Sequence, residues 1–164
     1  WSWKKIKYTI TKMYNILMVC LGNICRSPLA EGILKSKLKN LNLDISVDSA
    51  GTGSWHTGSP PDTRSIEIAR KKGIDISKQR ARQFKTTDFN DFDKILVMDT
   101  SNQTDLIRLA SSKKDSDKIE LILNYSHPNT RSSVPDPYYG GDKGFGNVFH
   151  LLNIACDKLI EEIK

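Results

Sequence analysis

The sequence predicts an α/β fold: a doubly wound parallel sheet of four strands with helices on both faces, in a single domain. Three observations predict it. Strand-like runs recur at 14–19, 44–50, 94–99 and 119–123. Between and after them lie stretches whose apolar residues repeat at helical spacing. A loop bearing Cys20 joins the first strand directly to a helix start, the place where such folds hold their ligands.

Residues 14–19, Tyr-Asn-Ile-Leu-Met-Val, lack the alternation of a half-exposed strand and read as one covered on both sides. Pro28, at a first helical position, opens a helix over 28–39 in which Leu29, Ile33, Leu34 and Leu38, with Leu41 just beyond it at the same spacing, give one apolar face. A second strand at 44–50 closes on Gly51, and a strand, helix and strand of this length imply a parallel crossover. The loop 51–61 is rich in Gly, Ser, Thr and Pro; it leaves the carboxyl end of that strand and hangs over the same rim as Cys20. A helix over 62–72 follows, capped by Asp62 and stopped by Gly73.

The third strand, 94–99, leads through Ser101 and Asn102 into a helix that ends near Ala110. Asp99 is either a plain helix-start carboxylate or a neighbour of an anion site. After a fourth strand at 119–123 comes a long aperiodic segment, 124–141, and irregular loops of that length are commonly functional. The last helix, 142–163, sets Phe145, Val148, Leu152, Ala155, Leu159 and Ile163 along one stripe, with Cys156 near it as a small buried hydrophobe.

Composition narrows the function classes. The 164 residues suffice for a core without staples, and three cysteines make no disulfide framework. With no apolar run of signal-peptide or membrane-spanning length, the chain reads as soluble and cytoplasmic, where thiols stay reduced. The net charge of +6 suggests nucleic acid until it is located. Lys4, Lys5, Lys7 and Lys12 precede Met13 with no acidic residue among them, so the rest carries only +2, and neither nucleic acid nor a membrane is an expected partner. Residues 1–12 read as an extension, non-native or upstream of a start at Met13, on a domain spanning 13–164. Lys71, Lys72, Arg80, Arg82 and Lys85 read as a solvated basic face. His56, His127 and His150 are scattered without ligand spacing, so neither a metal nor another cofactor is expected.

A strand that runs through a short loop into a helix leaves backbone N–H groups unpaired above the strand's carboxyl end, a seat for an anion. Helix-terminal dipoles and the Arg26 guanidinium, six residues on, both favour the thiolate of Cys20 and make it a nucleophile. Arg26 offers a planar fork for two oxygens of a phosphoryl group, and Gly22 lets the backbone pass close to the ligand.

The stretch Val19-Cys20-Leu21-Gly22-Asn23-Ile24-Cys25-Arg26-Ser27-Pro28 resembles the phosphate-binding loop of the low-molecular-weight protein tyrosine phosphatases. Asp136-Pro137-Tyr138-Tyr139 resembles their general-acid loop, and the two motifs stand in the family's order. The resemblance implies that Cys20 attacks phosphorus to give a phosphocysteine. It implies that Arg26 and the backbone N–H groups of Leu21, Gly22, Asn23, Ile24 and Cys25 hold the phosphoryl oxygens while Asp136 protonates the leaving group. It also implies that Asn23 props the loop by a hydrogen bond to Ser49 and that Ser27 stabilises the thiolate. Family members carry a supporting His after the second helix; residues 77–82 have none, and Gln79 is the nearest match.

Trp55, Tyr138 and Tyr139 are expected to form a rim on which a phenyl ring stacks, so that phosphotyrosine proteins, and aryl phosphates generally, are the substrates. Tyr138 and Tyr139 also match tyrosines that are phosphorylated in the family. Cys25, five residues from Cys20, is close enough to pair with it on oxidation. Arsenate reductases of this fold resemble the same loop but add a downstream pair of cysteines, which Cys156 alone does not supply. Protein-arginine phosphatases of this fold carry Thr where this chain has Ile24. A non-catalytic phosphate-binding module is disfavoured by Cys20, Arg26 and Asp136 occurring together. A weak homodimer stays open as a partner.

Overall fold

Ile16, Leu17, Met18 and Val19 have no exposed surface. A strand apolar at every position is satisfied only with cover on both faces, and β1 (Tyr14–Cys20) accordingly takes an inner place in the sheet. In the computed structural model, which describes residues 13–140 and 142–164, β1 pairs in parallel with β2 (Ile45–Gly51) on one side. On its other side lies β3 (Lys94–Val97), followed by β4 (Ile119–Leu121), also parallel, so the order is β2-β1-β3-β4. The chain thus leaves β1 in one direction and returns on the opposite side. Loops following β1 and β3 diverge there and leave a crevice at the strands' carboxyl ends. The extension expected over 1–12 lies outside the described residues.

Because successive side chains of a strand point to opposite faces, β1 feeds two cores. Ile16 and Met18, with Leu96 of β3, pack against Leu29, Ile33 and Leu34 of α1 (Arg26–Leu38) and against Val148, Leu152, Ala155 and Leu159 of α6 (Asp142–Ile163). Ala69 of α2 (Thr63–Lys71) joins the same core. On the other face Leu17 and Val19, with Ile95 and Val97, meet Phe84, Phe89 of α3 (Asp88–Asp91) and Leu106 of α4 (Thr100–Leu109). Each such buried side chain contributes about 1.5–3 kcal/mol of transfer free energy. The α/β reading with four parallel strands is borne out.

Several details differ from the sequence reading. Instead of one apolar face, every residue of α1 from Arg26 to Leu34 is buried, Ser27 and Glu31 included. The reason is its position, packed on β1 and β2 on one side and on α2 and α6 on others. The fourth strand stops at Leu121, and the apolar run continues as a 3-10 turn, Ile122–Asn124, with Ile122 and Leu123 still buried. Two short helices have no counterpart in the sequence reading: α3 and α5 (Lys113–Ser116). Four residues are too few for helical periodicity to register. The Asp62 cap holds, its carboxylate accepting from the Arg64 N–H at 2.9 Å. No helix among the described residues is long and apolar enough to cross a membrane.

Candidate active site

The loop between β1 and α1 is shaped by a few positions. Asn23 adopts φ +56°, a left-handed conformation that Asn tolerates better than most residues. At the end of β2, Gly51 lies so close that a Cβ there would stand 2.7 Å from the Leu21 carbonyl oxygen. Its backbone N–H and C=O are tied to Arg82 and Phe84, at 2.8 and 2.7 Å, so the strand end cannot retreat. A further strap is the Asp62 N–H, which donates to the Ile24 carbonyl at 2.8 Å.

The loop closes around sulfur. Cys20 Sγ accepts from the Asn23 N–H at 3.3 Å and lies 3.0 Å from Ser27 Oγ. Beneath it, Asn23 Nδ2 donates to Ser27 Oγ at 2.8 Å and to Ser49 Oγ at 3.0 Å, the second being the hydrogen bond expected of Asn23. The support that the missing His would give is altered, and Gln79 does not supply it. Its Nε2 donates to the Pro28 carbonyl of α1 at 3.2 Å, and the Asn23 Oδ1 instead accepts the backbone N–H of Arg82 at 3.0 Å. A main-chain donor thus fills the place that the resemblance gives to an imidazole.

Arg26 is 3 % exposed, and a buried guanidinium requires partners. Its Nη1 donates to Asp99 Oδ2 at 2.6 Å and to the Val134 carbonyl at 2.9 Å. Asp99 fills both of the roles left open for it, since its Oδ1 also accepts the Asn102 N–H at 2.7 Å and caps α4. The other end of the guanidinium, Nη2, stands 3.9 Å from Asp136 Oδ2. Asp136 is kept in place by its own turn, Oδ1 accepting the Tyr138 N–H at 3.0 Å.

Cys20, Arg26 and Asp136, drawn from the two ends of the sequence, therefore line one hollow of about 320 Å³. Leu21, Gly22, Ile24 and Cys25 supply its floor, and Trp55, Tyr138 and Tyr139 its walls. Tyr138 and Tyr139 meet edge to face at 4.9 Å, and Trp55 and Tyr139 are largely exposed. Cys25, at the N-cap of α1, has its thiol pushed up to about 12, first by burial and then by the nearby Asp62. No group of His, Cys, Asp and Glu suited to a metal occurs among the described residues.

Two residues of the hollow's surroundings escape sequence reasoning. His56 lines the hollow with its ring 3.1 Å from where a Gly22 Cβ would stand. Its place in the loop after β2 was the available signal. Arg64 forks onto Asp62 at 3.0 and 2.9 Å and holds that carboxyl below its usual range. The same guanidinium lies 4.5 Å from the Phe145 ring centroid and 5.4 Å from that of Tyr138, bracing a wall of the hollow. No spacing rule points to it.

Comparison with known proteins agrees with this arrangement. The family model for low molecular weight phosphotyrosine protein phosphatase matches residues 15–164. The low molecular weight phosphotyrosine protein phosphatase of Schizosaccharomyces pombe is 41% identical over 146 residues, covering 87% of this chain and 92% of that protein. YfkJ of Bacillus subtilis, a low molecular weight protein-tyrosine-phosphatase, is 42% identical over 154 residues, covering 93% and 97%. Its crystal structure superposes with a TM-score of 0.85, covering 94% of this chain and 96% of that one. A protein tyrosine phosphatase from Entamoeba histolytica, crystallised with Hepes in its active site, superposes equally well, at 0.85 with 37% identity, 92% of this chain and 96% of that one. Matched by profile, by sequence and by structure over nearly its whole length, the chain belongs to the low molecular weight phosphotyrosine protein phosphatase family.

Proposed function

We propose that this chain hydrolyses phosphotyrosine, and aryl phosphates generally, through a phosphocysteine formed on Cys20. The observation that carries the reading is the convergence of the Cys20 sulfur, the Arg26 fork and the Asp136 carboxyl on one hollow. Sulfur attacks phosphorus in line with the departing phenol oxygen. The loop's N–H groups and Arg26 hold the three equatorial oxygens, where charge is spread in the transition state. Asp136, on the opposite lip, gives its proton to the phenolate and afterwards takes one from the water that opens the phosphocysteine. Asp99 and the Val134 carbonyl fix the guanidinium so that its remaining N–H groups face the hollow.

Trp55 and Tyr138 raise the walls, so a phosphate at the floor must sit on a group as long as a phenol ring, which favours tyrosine over serine esters in phosphoproteins. The domain spans 13–164, needs no cofactor and works in the cytoplasm, where Cys20 stays reduced. Turnover of p-nitrophenyl phosphate tests the reading: Cys20→Ser should lower kcat/KM by about 10⁴-fold or more, and substantial residual turnover overturns it.

Cys25 faces the same hollow and serves as the resolving thiol. Peroxide oxidises Cys20 to a sulfenic acid, and the Cys25 thiol condenses with it to a disulfide, releasing water. Wild-type activity lost to mild peroxide should return with dithiothreitol, whereas Cys25→Ser should lose it irreversibly. Equal recovery in both excludes the pairing.

A further inference from the structure

Glu31 is a carboxylate buried to 4 % exposure in the second turn of α1, and the chemistry above does not use it. Its Oε2 accepts from Lys35 Nζ at 2.6 Å, and its Oε1 accepts from the Ser49 hydroxyl at 2.6 Å. From Ser49 the contacts run unbroken to the nucleophile through Asn23 Nδ2, Ser27 Oγ and Cys20 Sγ, all at least nineteen-twentieths buried. We propose that Glu31 is a positioning residue whose carboxylate sets the direction of this hydrogen-bond chain, so that it ends with the Ser27 hydroxyl donating to the Cys20 sulfur. The proposal rests on Cys20 being the nucleophile.

The argument is one of donor and acceptor accounting. An ionised carboxylate only accepts, so the Ser49 proton points at Glu31, and Ser49 Oγ must offer its lone pairs to Asn23. On the far side of the amide, the Arg82 N–H only donates, so Asn23 Oδ1 faces Arg82 and both Nδ2 protons face the two hydroxyls. Ser27 Oγ, accepting from Asn23, keeps its own proton to give. Its choices are the sulfur at 3.0 Å and the Ala50 carbonyl at 3.5 Å, and the nearer, charged acceptor wins. If the carboxylate is removed, the Ser49 proton has only the Asn23 amide to go to. The amide then turns over, giving up the Arg82 N–H to present its oxygen to both hydroxyls, and draws the Ser27 proton away from sulfur.

The direction of the effect separates this from simple electrostatics. Facing Glu31 are Lys35 on its own helix and, in the hollow outside, Lys39, Asp75 and Lys78. Around Cys20 stand Arg26, His56 and Asp136, with Asp62 behind Cys25. Deleting a negative charge from this set eases ionisation of the thiol, whereas losing the Ser27 proton hinders it. Glu31→Met, neutral and without an acceptor, should move the acid limb of the kcat/KM profile for p-nitrophenyl phosphate upward by about one pH unit. It should also slow alkylation of Cys20 by iodoacetate at pH 6 about tenfold. Glu31→Gln, equally neutral but still able to accept from Ser49, should keep both within about twofold of wild type. An acid limb in Glu31→Met that stays put or moves down overturns the proposal, as does Glu31→Gln behaving like Glu31→Met. If Glu31→Met fails to fold, Glu31→Leu removes the same acceptor and must show the upward shift. Wild-type turnover and the inactivity of Cys20→Ser are scored separately, so failure of the relay leaves the nucleophile reading distinguishable.

Discussion

At the scale of single residues, the site divides into chemistry carried by residue type and chemistry conferred by surroundings. Cys20, Arg26 and Asp136 belong to the first kind; spacing and neighbours made Cys20 and Arg26 legible in the sequence, and the resemblance of residues 136–139 to a family motif did so for Asp136. Asp136 illustrates what such a residue must do. If it protonates the leaving group as proposed, its help is worth most when that group is a poor one, because p-nitrophenolate departs with little need of a proton. Asp136→Asn should therefore lower kcat/KM on phenyl phosphate by about 10²–10³-fold and on p-nitrophenyl phosphate by less, steepening the dependence on leaving-group pKa. Glu31, His56 and Arg64 belong to the second kind. Each is an ordinary polar residue until packing places it, and in the sequence only His56, by its loop, carries a signal. The missing supporting His was legible, but its replacement was not: Gln79, the nearest match by position, turns toward a helix carbonyl, and Arg82's main chain serves Asn23.

At the scale of elements, the strands and long helices were legible because apolar runs and helical spacing follow from burial on two faces or one. What the spacing missed was how much of α1 is enclosed, since its polar residues, Ser27 and Glu31, are buried for partners rather than for hydrophobicity. The junction of β3 and α4 depends on one carboxylate with two duties. Asp99→Asn keeps an acceptor for the α4 cap but sets an uncharged amide against the buried guanidinium of Arg26. Losing one partner of a buried charge while the Val134 carbonyl remains should cost about 2–4 kcal/mol, read as a lower urea midpoint at unchanged slope. A midpoint within error of wild type would show that Val134 suffices.

At the scale of the whole molecule, stability should depend on alkaline pH through two buried thiols. Burial pushes the thiols of Cys25 and Cys156 up to about 12, from an ordinary value of about 9. Above pH 9 the unfolded chain has lost these protons and the folded one has not, so unfolding is favoured progressively from 9 toward 12, and the contribution is complete below 9. Urea titrations at pH 8 and 10.5 check this, and Cys156→Ala should shrink the difference between them. The sheet order has a further consequence for how the enzyme comes into being. Arg26 is among the first residues of the fold to be made, yet its two anchoring acceptors follow 73 and 108 positions later. A growing polypeptide thus carries an unsecured cation until its C-terminal third emerges, and a product of translation that ends before Val134 lacks one of the groups that hold the guanidinium in place.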